Sequence, residues 1–156
     1  MSLSNYKAKS GHFVPVYRLE IQTRPDDADR LLDAVMAVHP LKYGRYERNA
    51  SVSGVGAETA QPEENSTTTT HVDGFEVGDT ETFPMVELKL SIERDTAVLE
   101  RMMDAIHYAH HYEEPVIYVR EEWASRAAYD PNNDNPNRWW NDGRGLPDKV
   151  VLGGTT

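Results

Sequence analysis

Two segments of the chain, residues 17–41 and 86–112, are related copies of one another. They align without a gap at an offset of 71 residues and are identical at six positions. The identical pairs are Leu19 with Leu90, Ile21 with Ile92, Arg30 with Arg101, Asp33 with Asp104, Ala34 with Ala105 and His39 with His110. Apolar character is also kept where identity is lost, as in Leu31 and Met102. The duplication predicts a fold assembled from two copies of one local unit.

Each copy reads as a strand followed by a helix. In the second copy, apolar residues at 86, 88, 90 and 92 alternate with polar ones, which predicts a half-buried strand. Apolar residues then recur at helical spacing over 98–109, and Asp95 or Thr96 is suited to cap that helix. The first copy repeats this order, with a helix that starts at Pro25, keeps its apolar face to Val38 and stops at Pro40.

Further strands are predicted at 115–119 and at 43–55, so the order is β-α-β, a long loop, then β-α-β. Two such units side by side make an α+β fold, the ferredoxin-like β-α-β-β-α-β sandwich. Both helices cover one face of its four-stranded antiparallel sheet. Because no helix covers the other face, we expect the chain to associate with copies of itself.

We expect one domain at 12–123, followed by an extended, irregular tail at 124–156. Residues 57–82, named here the acidic loop, hold seven acidic residues and no Lys or Arg. Its polar composition predicts a mobile, solvated loop, and the alternative is a loop that binds a cation or a protein partner. In the tail, Trp139 and Trp140 either anchor it to this domain or a neighbouring subunit, or bind a ligand.

Composition excludes several classes of function. The formal net charge of -10 and the lack of a clustered basic face argue against nucleic-acid binding. No apolar run reaches the length of about 20 residues that spans a bilayer, and no secretory signal is visible, so we expect a cytoplasmic protein without membrane contact. Cysteine is absent, which removes disulfides, thiolate nucleophiles and thiolate metal sites.

The densest group of metal-ligating side chains is His107, His110, His111 and Glu114. If the helix continued, residues 107 and 111 would share one face, as would 110 and 114, and the set could hold a divalent transition metal. The alternative is that histidine is favoured here because it complements the helix C-terminus. His39 is expected to be structural for that second reason.

No complete catalytic site is recognisable. Gly54 and Gly56 lack the third glycine and the helix of a dinucleotide fingerprint, and no phosphate-binding loop or nucleophile elbow is present. Glu113 and Glu114 are adjacent and would point to opposite sides of an extended segment, which makes a poor acid–base pair. We therefore expect a non-enzymatic protein, and a hydrolase with a site between subunits is the less favoured alternative.

The run from Asp104 to Pro115 resembles the helix-to-strand junction of the NIF-three-like (YqfO-like) proteins. The match to the family motif is at His110, Tyr112, Glu113, Glu114 and Pro115, and His111 stands where the family has proline. Weaker matches are Gly44 with Tyr46, and Gly54 with Gly56 and a displaced Pro62. The resemblance covers residues 14–122, a domain that is inserted between dinuclear metal-binding domains in full-length members.

The resemblance implies a PII/CutA-like ferredoxin fold and a trimeric assembly. It places the acidic loop where PII proteins carry their partner-contacting loop, and it brings no established catalytic activity. We expect an oligomeric domain that binds a small ligand or a divalent metal at a subunit interface. The alternative is a protein–protein adaptor that acts through the acidic loop and the Trp-containing tail.

Overall fold

A computed structural model describes residues 2–128 and 132 of the chain. The strands are β1 (Lys7–Ala8), β2 (Gly11–Thr23), β3 (Ala50–Val52), β4 (Gly56–Ala60), β5 (Glu81–Glu93) and β6 (Ile117–Ala127). The helices are α1 (Ala28–Met36), which follows a short 3-10 turn at Pro25–Asp27, α2 (Thr67–His71) and α3 (Thr96–Ala109). Trp139, Trp140 and the predicted tail beyond residue 128 lie outside the described residues, apart from residue 132.

One antiparallel sheet carries the two copies. The strands β2 and β5, one from each copy, lie side by side at its centre, with Leu19 opposite Leu90. On the outer side of β2 lies β6, and β3 and β4 lie in succession along the outer side of β5. The four-stranded order and the two crossover helices are those of the ferredoxin-like fold, so the α+β prediction is confirmed.

The helix boundaries follow from local chemistry. The carboxylate of Asp95 accepts hydrogen bonds from the backbone N–H groups of Ala97 and Val98, which confirms the predicted cap of α3. Helical structure begins at Pro25 as predicted, with the 3-10 turn that leads into α1. The helix α1 ends at Met36, before the predicted stop at Pro40. Val38 was therefore wrongly included in its apolar face, and its side chain is 42% exposed.

The core lies between the sheet and the helices α1 and α3. Its buried residues are Leu19, Ile21, Leu31, Leu32, Val35, Leu41, Leu88, Leu90, Ile92, Val98, Met102 and Ile106. Most are the alternating strand positions and the helical stripe that each copy of the duplication repeats. Burying aliphatic side chains of this size contributes about 1.5–3 kcal/mol each before the entropy cost of folding is counted.

The opposite face of the sheet is polar. Glu20 lies between two core residues of β2 and so points away from the helices, where Arg120 of β6 donates two hydrogen bonds to its carboxylate. In β5, Lys89 pairs with Glu87 at 2.7 Å on the same face. The sequence suggested that the uncovered face of the sheet is apolar and drives self-association. Because this face is polar, it does not supply that reason.

The acidic loop contains regular structure, so its description as a continuous mobile loop is wrong. The strand β4 pairs with β5 from Gly56 opposite Met85 to Ala60 opposite Glu81, and β5 begins inside the predicted loop. The rings of Phe75 and Phe83 stack at 5.9 Å between centroids. Pairing with a neighbouring strand supplies the backbone hydrogen bonds that a polar sequence alone does not reveal.

Two other predicted boundaries differ from the structure. The strand expected over 43–55 is reduced to β3, because residues 43–46 form a turn in which Gly44 has a φ of 61°. The last strand, predicted over 115–119, runs to Ala127, four residues past the expected domain end at 123. It does so because β2 starts early enough to pair with it from Gly11 onward. No helix in the described part of the chain has the length and apolar character to cross a membrane.

Truncating the central strand should test the core directly. Leu90 is 1% exposed at the centre of the sheet, so Leu90→Ala removes packed methyl groups and leaves a cavity. We expect the free energy of unfolding to fall by about 2–5 kcal/mol in urea denaturation. Val52→Ala, at a position that is 50% exposed on β3, should cost below about 1 kcal/mol. Equal losses in the two variants would contradict this core.

Candidate functional site

The turn that follows α3 is organised by His110. The backbone of this residue leaves the helical region, with φ of -70° and ψ of 141°. Its Nδ1 accepts a hydrogen bond from the backbone N–H of Tyr112 at 3.0 Å, and its Nε2 lies 2.8 Å from the carbonyl oxygen of Gln22. Because a carbonyl can only accept, the geometry assigns the neutral tautomer with its proton on Nε2. Both ring nitrogens are therefore occupied.

The first copy of the duplication contains the same arrangement at His39. Its Nδ1 accepts from the backbone N–H of Leu41 at 3.0 Å, and its Nε2 lies 2.8 Å from the Glu93 carboxylate. Glu93 and Gln22 are themselves related by the offset of 71 residues. Each histidine thus joins the end of its own helix to the end of the central strand from the other copy.

Tyr112 and Glu113 attach the acidic loop to this turn. The Tyr112 hydroxyl donates to the Glu58 carboxylate on β4, and the Tyr112 ring packs edge-on against His110 at 4.7 Å. Burial and the neighbouring Glu58 raise the pKa of Tyr112, which keeps the phenol protonated. The carboxylate of Glu113 accepts from the backbone N–H of Thr67 at 2.8 Å, and this contact lowers its pKa. Two consecutive residues therefore hold β4 and the start of α2.

A buried charge lies beside the turn. Asp27 is 3% exposed at the start of α1, and Arg30 donates to both of its oxygens at 2.6 and 2.9 Å. The hydrogen bond from Arg30 is the main reason why the pKa of Asp27 is lowered. The Nδ1 atom of His111 lies 3.4 Å from the same carboxylate. The arrangement is a charge network that opens to solvent through Arg30 and His111.

The structure does not bring the four predicted metal ligands together. Since α3 ends at Ala109, the helical spacing that would have paired 107 with 111, and 110 with 114, does not exist. His110 uses both ring nitrogens in the turn, while His107 and Glu114 are exposed. Over residues 2–128 and 132, no three His, Asp or Glu side chains form a group that could hold a metal ion. The metal set remains a prediction that a single copy of this chain does not support.

Several residues of this site were not identified from the sequence. Gln22 contributes a backbone carbonyl, which leaves no trace in residue type. Asp27 follows Pro25 at the predicted start of the first helix without any further sign of a role, and Glu58 is one of the seven acids of the acidic loop. The duplication does point to Gln22, because Gln22 occupies in the first copy the position that Glu93 occupies in the second copy.

Acidification should destabilise the fold through His110. Burial lowers its pKa, so the unfolded chain takes up a proton more readily than the folded chain. The stability that depends on neutral His110 is therefore present above its unfolded pKa of about 6.5 and is lost as the pH falls below that value. We expect the urea concentration at the midpoint of denaturation, measured in EDTA, to decrease as the pH is lowered from about 7.5 to about 5.5.

His110→Gln should lose most of this pH dependence, whatever its overall stability. His107→Gln is the matched control, because that ring is exposed on the same helix. A pH dependence that is equal in both variants would contradict the role given to His110.

Comparison with known proteins gives a likeness of fold. No family model matches the chain, and no curated protein sequence matches it. The crystal structure of a Bacillus cereus protein related to NIF3 superposes with a TM-score of 0.56 at 18% identity, covering 77% of this chain and 29% of that one. The chain thus spans less than a third of that protein's length.

Two CutA1 structures are less similar. The divalent ion tolerance protein CutA1 from Ehrlichia chaffeensis gives a TM-score of 0.49 at 12% identity, covering 74% of this chain and 84% of that one. CutA1 from Oryza sativa gives 0.48 at 11% identity, covering 70% and 81%. The resemblance predicted from residues 104–115 is confirmed at the level of fold, because the chain superposes on part of the NIF3-related protein.

Proposed function

We propose that this chain is a non-enzymatic, oligomeric binding domain that takes a small ligand or a divalent metal ion between two copies of itself. The binding surface consists of the 110–114 turn and the acidic loop. The observation that carries the proposal is the pair of hydrogen bonds by which Tyr112 and Glu113, adjacent in the chain, hold β4 and α2. The only structural links described between the turn and the loop are thus side-chain hydrogen bonds that a ligand could replace.

This attachment gives the domain a means of responding to its ligand. The loop can be attached to the turn or released from it. A ligand that contacts the turn shifts the loop only if it binds more tightly to one of these two states. Replacing one hydrogen bond to a charged carboxylate changes the free energy by about 1.5–3 kcal/mol. A change of that size shifts the population of the attached loop by about tenfold or more. The acidic loop would then present its carboxylates differently with and without ligand.

The edge of the sheet supports assembly. The strand β6 is 11 residues long and, in the described part of the chain, pairs with β2 alone. Long strand edges offer unpaired N–H and C=O groups to a further strand. The resemblance to the NIF-three-like proteins implies that three copies assemble, so we propose a trimer in which β6 borders the next subunit.

The metal version of the proposal requires the second copy. Within one chain, His111 and Asp27 form the one close imidazole–carboxylate pair of the site, and Arg30 already binds both oxygens of that carboxylate. A divalent transition metal needs about four ligands, with neutral imidazole among them. His107 and Glu114, which are exposed, would have to meet residues of a neighbouring subunit.

The adaptor alternative rests on a different observation. The carboxylates of Glu63, Glu64, Asp73, Glu76 and Asp79 are exposed on a loop that the fold holds in place. Such a surface suits a basic protein partner. An adaptor would bind that partner equally well with and without a small ligand, whereas the leading proposal requires the ligand to alter the loop.

Light scattering combined with calorimetry tests the assembly and its metal. We expect a mass of three times the chain mass of 17.7 kDa, and a stable monomer would contradict the interface proposal. If zinc binds between copies, the titration should lose its heat in the double variant His107→Ala with His111→Ala. His12→Ala, an exposed histidine on β2, is the control. Zinc binding that is unchanged in the double variant would exclude the metal version.

Removing the Tyr112 hydroxyl should loosen the attachment of β4 to the turn. Tyr112→Phe deletes the hydrogen bond to Glu58, so the amides of Gly56–Ala60 should exchange with deuterium about tenfold faster, in line with a loss of about 1.4 kcal/mol. Tyr108→Phe is the matched control, since that side chain is 91% exposed on α3. Unchanged exchange in Tyr112→Phe would show that the turn does not hold the loop.

A further inference from the structure

A groove of about 410 Å³ lies at the opposite end of the sheet from the 110–114 turn. It is bordered by the start of β2, the end of β5, the end of β6 and the segment that follows α1. Its volume lies within the range of about 300–1,000 Å³ that small-molecule sites occupy. The groove is separate from the 110–114 turn and the acidic loop, and Arg126 at its edge lies on β6, the strand proposed to border the next subunit.

The groove coincides with a departure from the internal repeat. In the second copy, the ring of Tyr112 packs against His110 at 4.7 Å. The matching residue of the first copy is Leu41, which is turned into the core with 1% exposure and a positive φ of 48°. Leucine rarely adopts such a backbone conformation, which carries a cost in free energy. Among the described residues no aromatic ring pair includes His39, which lines the groove.

The interior of the groove is apolar. Its apolar lining residues include Val14, Pro15 and Pro40, together with Val16 and Ile92, which are 3% and 2% exposed. A body of a few carbon atoms could bury its surface here at about 25 cal/mol per Å². A purely polar ion would leave this lining without a partner.

The rim of the groove is cationic in a chain of net charge -10. Its one carboxylate, Glu93, is engaged by His39 at 2.8 Å. Arg126 donates to the carbonyl oxygen of Ser125, and its guanidinium lies 4.0 Å from the ring centre of Tyr43. The described residues give Arg126 no carboxylate partner.

Lys42 is the second cation of the rim, and its Nζ atom is 3.6 Å from Glu47 in a pair where both side chains are more than half exposed. Exposed pairs of this kind contribute little and exchange partners readily. The rim therefore offers one planar guanidinium and one mobile ammonium to an incoming anion, and planar guanidinium groups bind carboxylates through two parallel hydrogen bonds.

We propose that this groove binds a small organic carboxylate. Its carboxylate pairs with Arg126, with Lys42 nearby, and its apolar body lies against the apolar lining residues. The guanidinium of Arg126 lies over the Tyr43 ring. This contact limits the rotamers of Arg126 and so reduces the entropy lost on binding.

Titration of the full chain with three probes, followed by amide NMR, tests the proposal. Benzoate carries the charge and the apolar body, benzamide is its neutral counterpart, and inorganic phosphate is the anion without the body. We expect benzoate to shift the amide signals of Val14 and Ile92 with millimolar affinity, and the other two probes to bind about tenfold more weakly or not at all. Arg126→Gln should weaken benzoate binding by about tenfold.

Arg120→Gln is the matched control, because Arg120 lies on the same strand but pairs with Glu20 on the open face of the sheet. It should leave benzoate binding unchanged. Equal binding of benzamide, an unaltered affinity in Arg126→Gln, or shifts confined to the 110–114 turn would each overturn the proposal. Because the groove and the turn lie at opposite ends of the sheet, failure here would leave the proposed function untouched.

Discussion

The hydrogen bonds of the His110 imidazole fix the turn on which the attachment of the acidic loop depends. His110 stops α3, accepts from the backbone of Tyr112 and donates to the end of β2. With both ring nitrogens engaged, the turn that follows has one geometry, and that geometry aims Tyr112 and Glu113 at the acidic loop. His39 makes corresponding contacts in the first copy, although its Nε2 meets the side-chain carboxylate of Glu93 and not a backbone carbonyl, and Leu41, two positions later, turns into the core. The two copies thus share one arrangement of strand and helix. The difference between Tyr112 and Leu41 gives a turn that holds a loop at one end of the sheet and a groove at the other.

The two ends also differ in charge. At the turn, buried Asp27 and the carboxylates of the acidic loop dominate, with Arg30 as the nearby cation. At the groove, Arg126 and Lys42 line a surface whose one carboxylate is engaged by His39. A small domain with two chemically distinct ends can bind different classes of ligand without altering its core. The acidic loop is long and exposed, and we expect its stability to be lower than that of the central strands.

The sequence predicts the parts of this fold that depend on local pattern. Alternation at Leu88, Leu90 and Ile92, the cap at Asp95 and the repeat itself were enough for the α+β ferredoxin-like arrangement. What could not be predicted depends on contacts between distant residues. The strand β4 is polar and gains its structure by pairing with β5, so it looked like a loop. The histidine cluster looked like a ligand set because the sequence left open whether the helix continues past it or ends there, and the structure ends α3 at Ala109. The sequence also does not show that the partner of His110 is a backbone carbonyl.

The tautomer of His110 tests this account most directly, because every other feature of the turn depends on it. Long-range nitrogen–proton NMR of the imidazole rings distinguishes the two neutral tautomers and the cation. At about pH 7 in EDTA, His110 should be neutral with its proton on Nε2, and it should keep that proton when zinc is added. A proton on Nδ1, a cationic ring, or a ring nitrogen of His110 that binds the added zinc would contradict the account.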